Sequence, residues 1–217
     1  MICPKGSALG LSICSTCRNW RLAAVPTLNL GVGTNGRAEG NLLEEERTMV
    51  TFTFGSWHFI YRVGAIVLRE GHVLLTRNLP ENYWFTPGGR VEIGESAHAA
   101  IDREIKEDLG VAGRIDRLLW SSENFFRMGE ISHHEIALYF LVTLPDDAHP
   151  DLSAKFHCEE SGIRFEFAWH RVDALGGIRL VPGFLIDALS NLPDAPQHVV
   201  HVDDSMRREP VRFPRNV

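Results

Sequence analysis

From Gly88 to Val111 the chain reads Gly-Gly-Arg-Val-Glu-Ile-Gly-Glu-Ser-Ala-His-Ala-Ala-Ile-Asp-Arg-Glu-Ile-Lys-Glu-Asp-Leu-Gly-Val. Few folds accommodate such a run, because it asks for a glycine turn, an acidic loop and then a helix with two unlike sides. Ser96 is suited to cap that helix and Gly110 to end it in the left-handed conformation. Between them Ala97, Ile101, Ile105 and Leu109 recur every four residues and predict a buried stripe. At roughly 100° per residue, Glu104, Glu107 and Asp108 fall within an arc of about 100° beside the stripe. Carboxylates that close raise one another's pKa unless a positive charge compensates them. Arg103, one turn before Glu107, supplies part of that charge. A hard cation that prefers oxygen ligands, Mg²⁺ or Mn²⁺, supplies the rest. The competing reading is a solvated acidic helix face, the usual fate of a Glu-rich helix. The Gly88-Gly89 turn, Glu92, Glu95 and Arg103 at fixed offsets argue against it.

The spacing resembles the Nudix box of the MutT-like Nudix hydrolases, G-x5-E-x7-R-E-U-x-E-E-x-G-U with U aliphatic. Every fixed position matches except the last acid, which is Asp108 where the family usually has Glu. The resemblance implies an α/β fold, a Nudix-type α/β/α sandwich with a mixed central sheet and the box helix on one face. It implies Mg²⁺-dependent hydrolysis (Mn²⁺ as the alternative ion) of a nucleoside diphosphate linked to another group. A nucleoside triphosphate, a nucleotide sugar and ADP-ribose all remain open as substrates. By position, Glu104, Glu107 and Asp108 are the implied metal ligands and catalytic acids, and Arg103 the residue that orients them. Glu92 and Glu95 are implied loop acids that position metal or water, Glu92 being a further metal contact. Asp108 is one methylene shorter than Glu, so it binds through water or draws the helix closer. The rival class is a nucleotide-sensing module that has kept the fold and lost the chemistry; the intact acids speak against it.

A formal net charge of −6 argues against a nucleic-acid polymer as ligand, but not against a small nucleotide. No apolar run is long enough to span a bilayer. The four cysteines, at positions 3, 14, 17 and 158, do not suggest a disulfide framework, and a reducing cytoplasm is expected. Cys14 and Cys17 have no second Cys or His pair at zinc-finger spacing. Many Nudix relatives pair into homodimers, and the resemblance leaves the oligomeric state of this chain open between monomer and homodimer.

The domain is expected over 49–205, with an extension at 1–48 and a mobile tail at 206–217. The extension lacks periodicity, and its arginines and serines in acid-poor sequence also fit an organellar transit peptide. In a bacterial gene, Glu44-Glu45-Glu46 can be encoded as GAGGAGGAG, which resembles a ribosome-binding site, so translation is expected to begin at Met49. Strands are predicted over 58–68, 73–76, 113–126, 135–144 and 163–171, with a hairpin turn at Glu70-Gly71 and a short strand around His198–Val202. A helix is predicted over 182–192, with Pro182 in its first turn.

Outside the box, Arg62, Arg77 and Arg90 are candidate phosphate partners, and the backbone at Gly88 and Gly89 can approach a phosphate closely. Each arginine serves equally well as a surface residue. Leu74–Arg77 resembles part of a coenzyme A hydrolase signature whose remainder is missing. Glu135 is the candidate for a general base or further metal contact, and its bland alternative is an edge-strand acid facing water. Trp84, Phe85, Phe125 and Phe126 are candidates to stack on a base, although most such rings are core; one or two are expected in the pocket.

Overall fold

The computed structural model describes residues 48–149, 151–160 and 162–207. The expectations for residues 1–47 and 208–217, including the Cys14/Cys17 pair, lie outside the described residues. The strands are β1 (Thr51–Phe54), β2 (Trp57–Ile66), β3 (Leu68–Arg69), β4 (His72–Leu79), β5 (Arg114–Met128), β6 (Ile131–Thr143), β7 (Lys155–Glu160), β8 (Ile163–Arg171) and β9 (Gln197–Val202). The helices are α1 (Ala97–Leu109), α2 (Leu185–Ala188) and α3 (Asp204–Arg207).

One sheet has the order β1-β2-β6-β5-β9 and the other β3-β4-β8-β7. Parallel pairs (β2 with β6, β5 with β9) and antiparallel pairs share the first sheet, which makes it mixed as expected. The second sheet is antiparallel throughout. The segment Trp84–Val91, rather than β4, runs along β2: Val63 donates to the Gly89 carbonyl and Ala65 to that of Pro87, both at 2.8 Å. Pro87 has no N–H to give and Gly88 sits at φ 126°, so this segment cannot become a full strand. Its other end is tied to the second sheet, where Phe85 exchanges hydrogen bonds with Thr76. The segment therefore stitches the two sheets together just before the box.

Alternation decides which residues face which layer. In β4, Leu74 joins one apolar cluster while its neighbours Val73 and Leu75 join the other. The first cluster packs Ala100, Ile101, Ile105 and Leu109 of α1 against Val63, Ala65, Phe140 and Val142 of one sheet and Leu74 and Phe167 of the other. Each buried Ile or Leu there contributes about 1.5–3 kcal/mol. The second cluster sets Trp120 and Tyr139 against Val73, Leu75, Ala168 and Leu185 of α2. The result is the layered α/β sandwich expected from the sequence.

Several elements differ from expectation. β6 begins at Ile131, four residues early, because it pairs with β5 through the Met128–Ile131 hairpin. The helix expected over 182–192 shrinks to α2. Its first bonds, from Leu185 to Pro182 and from Ile186 to Gly183, span three residues, and Pro182, Gly183 and Pro193 bracket the segment. Met206, placed by the sequence in a mobile tail, is buried in α3, where Ser205 Oγ accepts from the Arg127 amide at 3.0 Å. Among the described residues no helix is long and apolar enough to cross a membrane.

Candidate active site

The helix that carries the acids is built by its own ends. Ser96 Oγ accepts from the Ala99 amide at 3.1 Å, and Gly110, at φ 69°, closes the last turn through its N–H to the Lys106 carbonyl. A cap of this kind stabilises by about 1 kcal/mol. With the apolar stripe buried, Arg103, Glu104, Glu107 and Asp108 are carried toward the glycine turn.

Arg103 organises them. Its Nε and Nη2 take the two oxygens of Glu95 at 2.9 and 3.0 Å, a forked pairing. Nη1 donates to Glu104 Oε1 at 2.7 Å and to Glu107 Oε2 at 3.1 Å, and Nη2 also reaches the Arg90 carbonyl at 3.1 Å. Glu92 Oε1 lies 3.5 Å from Nε. Burial works against the Arg103 charge, but the hydrogen bonds and charges of Glu95 and Glu104 outweigh it and raise its pKa. Glu104 is only 2 % exposed, and burial pushes its carboxyl up to about 7 against the pull of Arg103, with Glu107 pushing the same way. One guanidinium thus leaves the buried negative charge undercompensated.

The glycines are required where they stand. A Cβ on Gly89 would meet the Glu104 carboxylate, its Cδ at 2.5 Å, and one on Gly88 would meet the Val63 carbonyl. The Gly88 amide donates to Asp108 Oδ2 at 3.1 Å, so the shorter acid is anchored to the turn rather than drawn in among the glutamates. As arranged here, no group of three or more His, Cys, Asp or Glu among the described residues is set to hold a metal. The donor set itself suits a divalent cation. Its ligands are all oxygens, and the depressed ionisation of Glu104 marks a place where added positive charge is favourable.

Beside the turn lies a cavity of about 310 Å³, at the small end of the range of ligand pockets. It receives Arg62 and Glu135 from the first sheet, Thr76 and Asn78 from β4, Gly88–Arg90 from the turn and Asp108 from α1. Arg62 Nη1 is 3.9 Å from Glu135 Oε2. Burial, reinforced by the charge of Arg62, lowers the Arg90 pKa, while Glu135 pulls it back. Two guanidinium groups that repel within one cavity make a receptive place for an anion.

Of the residues expected from sequence, Arg62, Arg90, Gly88, Gly89, Asp108 and Glu135 line this cavity together. Glu104, Glu107, Arg103 and Glu92 form the neighbouring cluster around the guanidinium. Arg77 is placed elsewhere. It pairs with Glu166 at 2.7 Å and lies over the Trp84 ring at 4.7 Å, where it braces the second sheet. Among the aromatic candidates Phe85 and Phe126 line the cavity, whereas Trp84 is core. Phe125 stacks on His134, its centroid 4.5 Å away.

Sequence reasoning missed Arg179, Arg127, Tyr83 and Asn124, which also line the cavity. Arg179 arrives because the Trp84 amide donates to its carbonyl at 2.8 Å, and its guanidinium lies 5.5 Å over the Tyr83 ring. No local pattern announces that pairing. Asn124 did leave a trace: with Ser122 it interrupts the apolar alternation of Trp120 and Phe126 on one face of β5.

The sequence model of the NUDIX domain family matches residues 58–186. The chain is 37 % identical over 92 residues to the low-salt glycan biosynthesis protein Agl8 of Haloferax volcanii, covering 39 % of this chain and 59 % of that protein. It is 35 % identical over 66 residues to the RNA pyrophosphohydrolase of Escherichia coli O139:H28, covering 30 % of this chain and 38 % of that protein. The matched part thus spans less than two thirds of either relative. Among solved structures, a NUDIX hydrolase from Nitrosomonas europaea aligns with a TM-score of 0.47 at 18 % identity, over 66 % of this chain and 79 % of that one.

Proposed function

The chain belongs to the Nudix family, and from that premise we propose that it hydrolyses the pyrophosphate bond of a nucleoside diphosphate linked to another group. We place this activity in the cytoplasm, with Mg²⁺ or Mn²⁺ as cofactor. The observation that carries the reading is one cavity that collects the glycine turn, Asp108 of the box helix, the paired charges of Arg62 and Arg90, and Glu135. A phosphate chain needs those groups: close backbone, fixed positive charge and an acid to take a proton.

Glu104, Glu107 and Asp108, with Glu92, are the residues that would hold the cation. When bound, such an ion withdraws charge from the diphosphate oxygens and lowers the pKa of water. Arg103 keeps Glu104 and Glu107 oriented when no other charge does. Arg62 and Arg90 bind and orient the diphosphate, their like charges being relieved by its oxygens. Glu135 is assigned as the general base. It accepts a proton from water as the water oxygen bonds to phosphorus, while the phosphoanhydride P–O bond breaks and the departing phosphate keeps the electron pair. The products are then a nucleoside monophosphate and a second phosphorylated fragment, or a monophosphate and pyrophosphate from a triphosphate. The Escherichia coli relative, an RNA pyrophosphohydrolase, is named for the same bond chemistry.

The test is a panel of nucleoside triphosphates, nucleotide sugars and ADP-ribose, assayed for released phosphate, pyrophosphate and monophosphate. We expect cleavage with Mg²⁺ or Mn²⁺ and none in excess EDTA. Binding without cleavage under both ions would replace this reading with that of a nucleotide sensor.

A further inference from the structure

Behind Glu135 a chain of polar side chains runs into the apolar core of the first sheet. Asn124 Nδ2 donates to Glu135 Oε1 at 2.8 Å and to Ser122 Oγ at 3.1 Å. Ser122 Oγ in turn lies 3.5 Å from the Ala137 carbonyl, and the Tyr139 hydroxyl adjoins both side chains. Exposure is 1 % for Ser122 and Asn124, 2 % for Tyr139 and 6 % for Glu135. The four sit in register on one sheet face, since Ser122 pairs with Ala137 and Asn124 with Glu135 across β5 and β6.

This arrangement is costly. With its amide nitrogen committed to Glu135 and Ser122, Asn124 leaves Oδ1 buried with no hydrogen-bond partner. A buried acceptor left bare lowers stability. The opposite amide orientation would set Oδ1 against the Glu135 carboxylate, which is worse. An apolar side chain at 124 would remove the bare oxygen, but it would also take the donor from Glu135 Oε1 and Ser122 Oγ. What the asparagine provides is a fixed carboxylate: Oε1 is held from behind, and Oε2 is left on the side of Arg62 and the cavity.

We propose that Asn124, backed by Ser122 and Tyr139, is a positioning residue that sets Glu135 in the orientation in which its Oε2 takes the proton. This deepens the functional reading above and rests on its assignment of Glu135. Asn124 touches no reacting atom; it acts through the carboxylate.

The experiment is a double-mutant cycle on the full chain, with kcat and KM measured separately on a substrate the wild type cleaves. Asn124→Leu keeps the volume and removes the donor. With Glu135 intact it lowers kcat about 10- to 50-fold, a part of what a general base supplies, and leaves KM within about two-fold. In the Glu135→Gln background the same substitution changes kcat by less than about two-fold, because the group it serves has gone. Ser122→Ala keeps the test available should Asn124→Leu fold poorly, since it weakens the chain one step back and shows the same non-additivity at smaller size. Equal losses in both backgrounds, as a merely structural residue would give, overturn the proposal. So does a rise in KM at constant kcat, which would make Asn124 a substrate contact. A Glu135→Gln enzyme with wild-type kcat also overturns it; hydrolysis by the wild type would leave the reading of function standing.

Discussion

The two halves of the site are built by opposite means. The box half comes from one stretch, in which the loop acids, Arg103 and the helix acids lie close in sequence and carry their own counter-charge. The cavity half is gathered from β2, β4, β5, β6 and the segments around Tyr83 and Arg179, and its arginines come from separate elements. A helix period is enough to place the first set. The second needs strand register and a bridge between distant segments. The box half should therefore behave as one electrostatic unit with large, shared losses, and the cavity half as separable contacts.

The largest expected effect tests the unit itself. Arg103→Met leaves Glu104 buried beside Glu107 without its partner, and breaking a buried pair in this way costs about 3–5 kcal/mol. Urea denaturation without added metal measures it. A loss below about 1 kcal/mol would mean that the acids do not depend on the guanidinium, and the contrast between the halves would fail. Next comes Glu107→Gln, which removes one ligand charge and keeps the shape. Turnover at saturating Mg²⁺ should fall about 10²-fold, equivalent to about 2.7 kcal/mol of barrier, with the fold intact. Wild-type turnover would remove Glu107 from the reaction.

On the cavity side, Arg179→Ala takes away one guanidinium held over Tyr83. We expect KM to rise about 10-fold and kcat to stay within about three-fold, as for loss of one charge-assisted contact. Steady-state kinetics with each accepted substrate checks this. A collapse in kcat comparable to that of Glu107→Gln would show that the cavity is not separable from the box.

The same division explains what could be read in advance. The helix limits, its stripe, its caps and the Arg103–Glu107 contact follow from spacing alone, because residues three and four apart share a face wherever the helix sits. β8 and the Glu70-Gly71 turn were legible for a like reason: alternation and turn residues are local. Arg77 shows where this stops. From sequence it resembles Arg62 as a phosphate partner, but the register of β4 on β8 sets it opposite Glu166, and that register is invisible in either strand. Arg179 is hidden for a related reason, since only the bridge between Trp84 and Leu180 carries it to the cavity. The junction of the two sheets belongs here too. It depends on Pro87 and Gly88 lying along β2, a placement that neither residue specifies alone.

The smallest effect is the sharpest separator of scaffold from chemistry. Ser96 lies at the start of α1, exposed, and its side chain serves the helix by accepting from the Ala99 amide. Ser96→Ala removes that acceptor and costs about 1 kcal/mol of stability. The acids sit two and three turns further along, fixed by the buried stripe and by Arg103 rather than by the first turn. At a temperature well below unfolding, kcat and KM should both stay within about two-fold of wild type while the urea midpoint falls. If kcat drops with the midpoint, the first turn is reporting on the acid cluster, and the helix would have to be treated as moving with the loop that carries Glu92 and Glu95 rather than as a fixed platform for it.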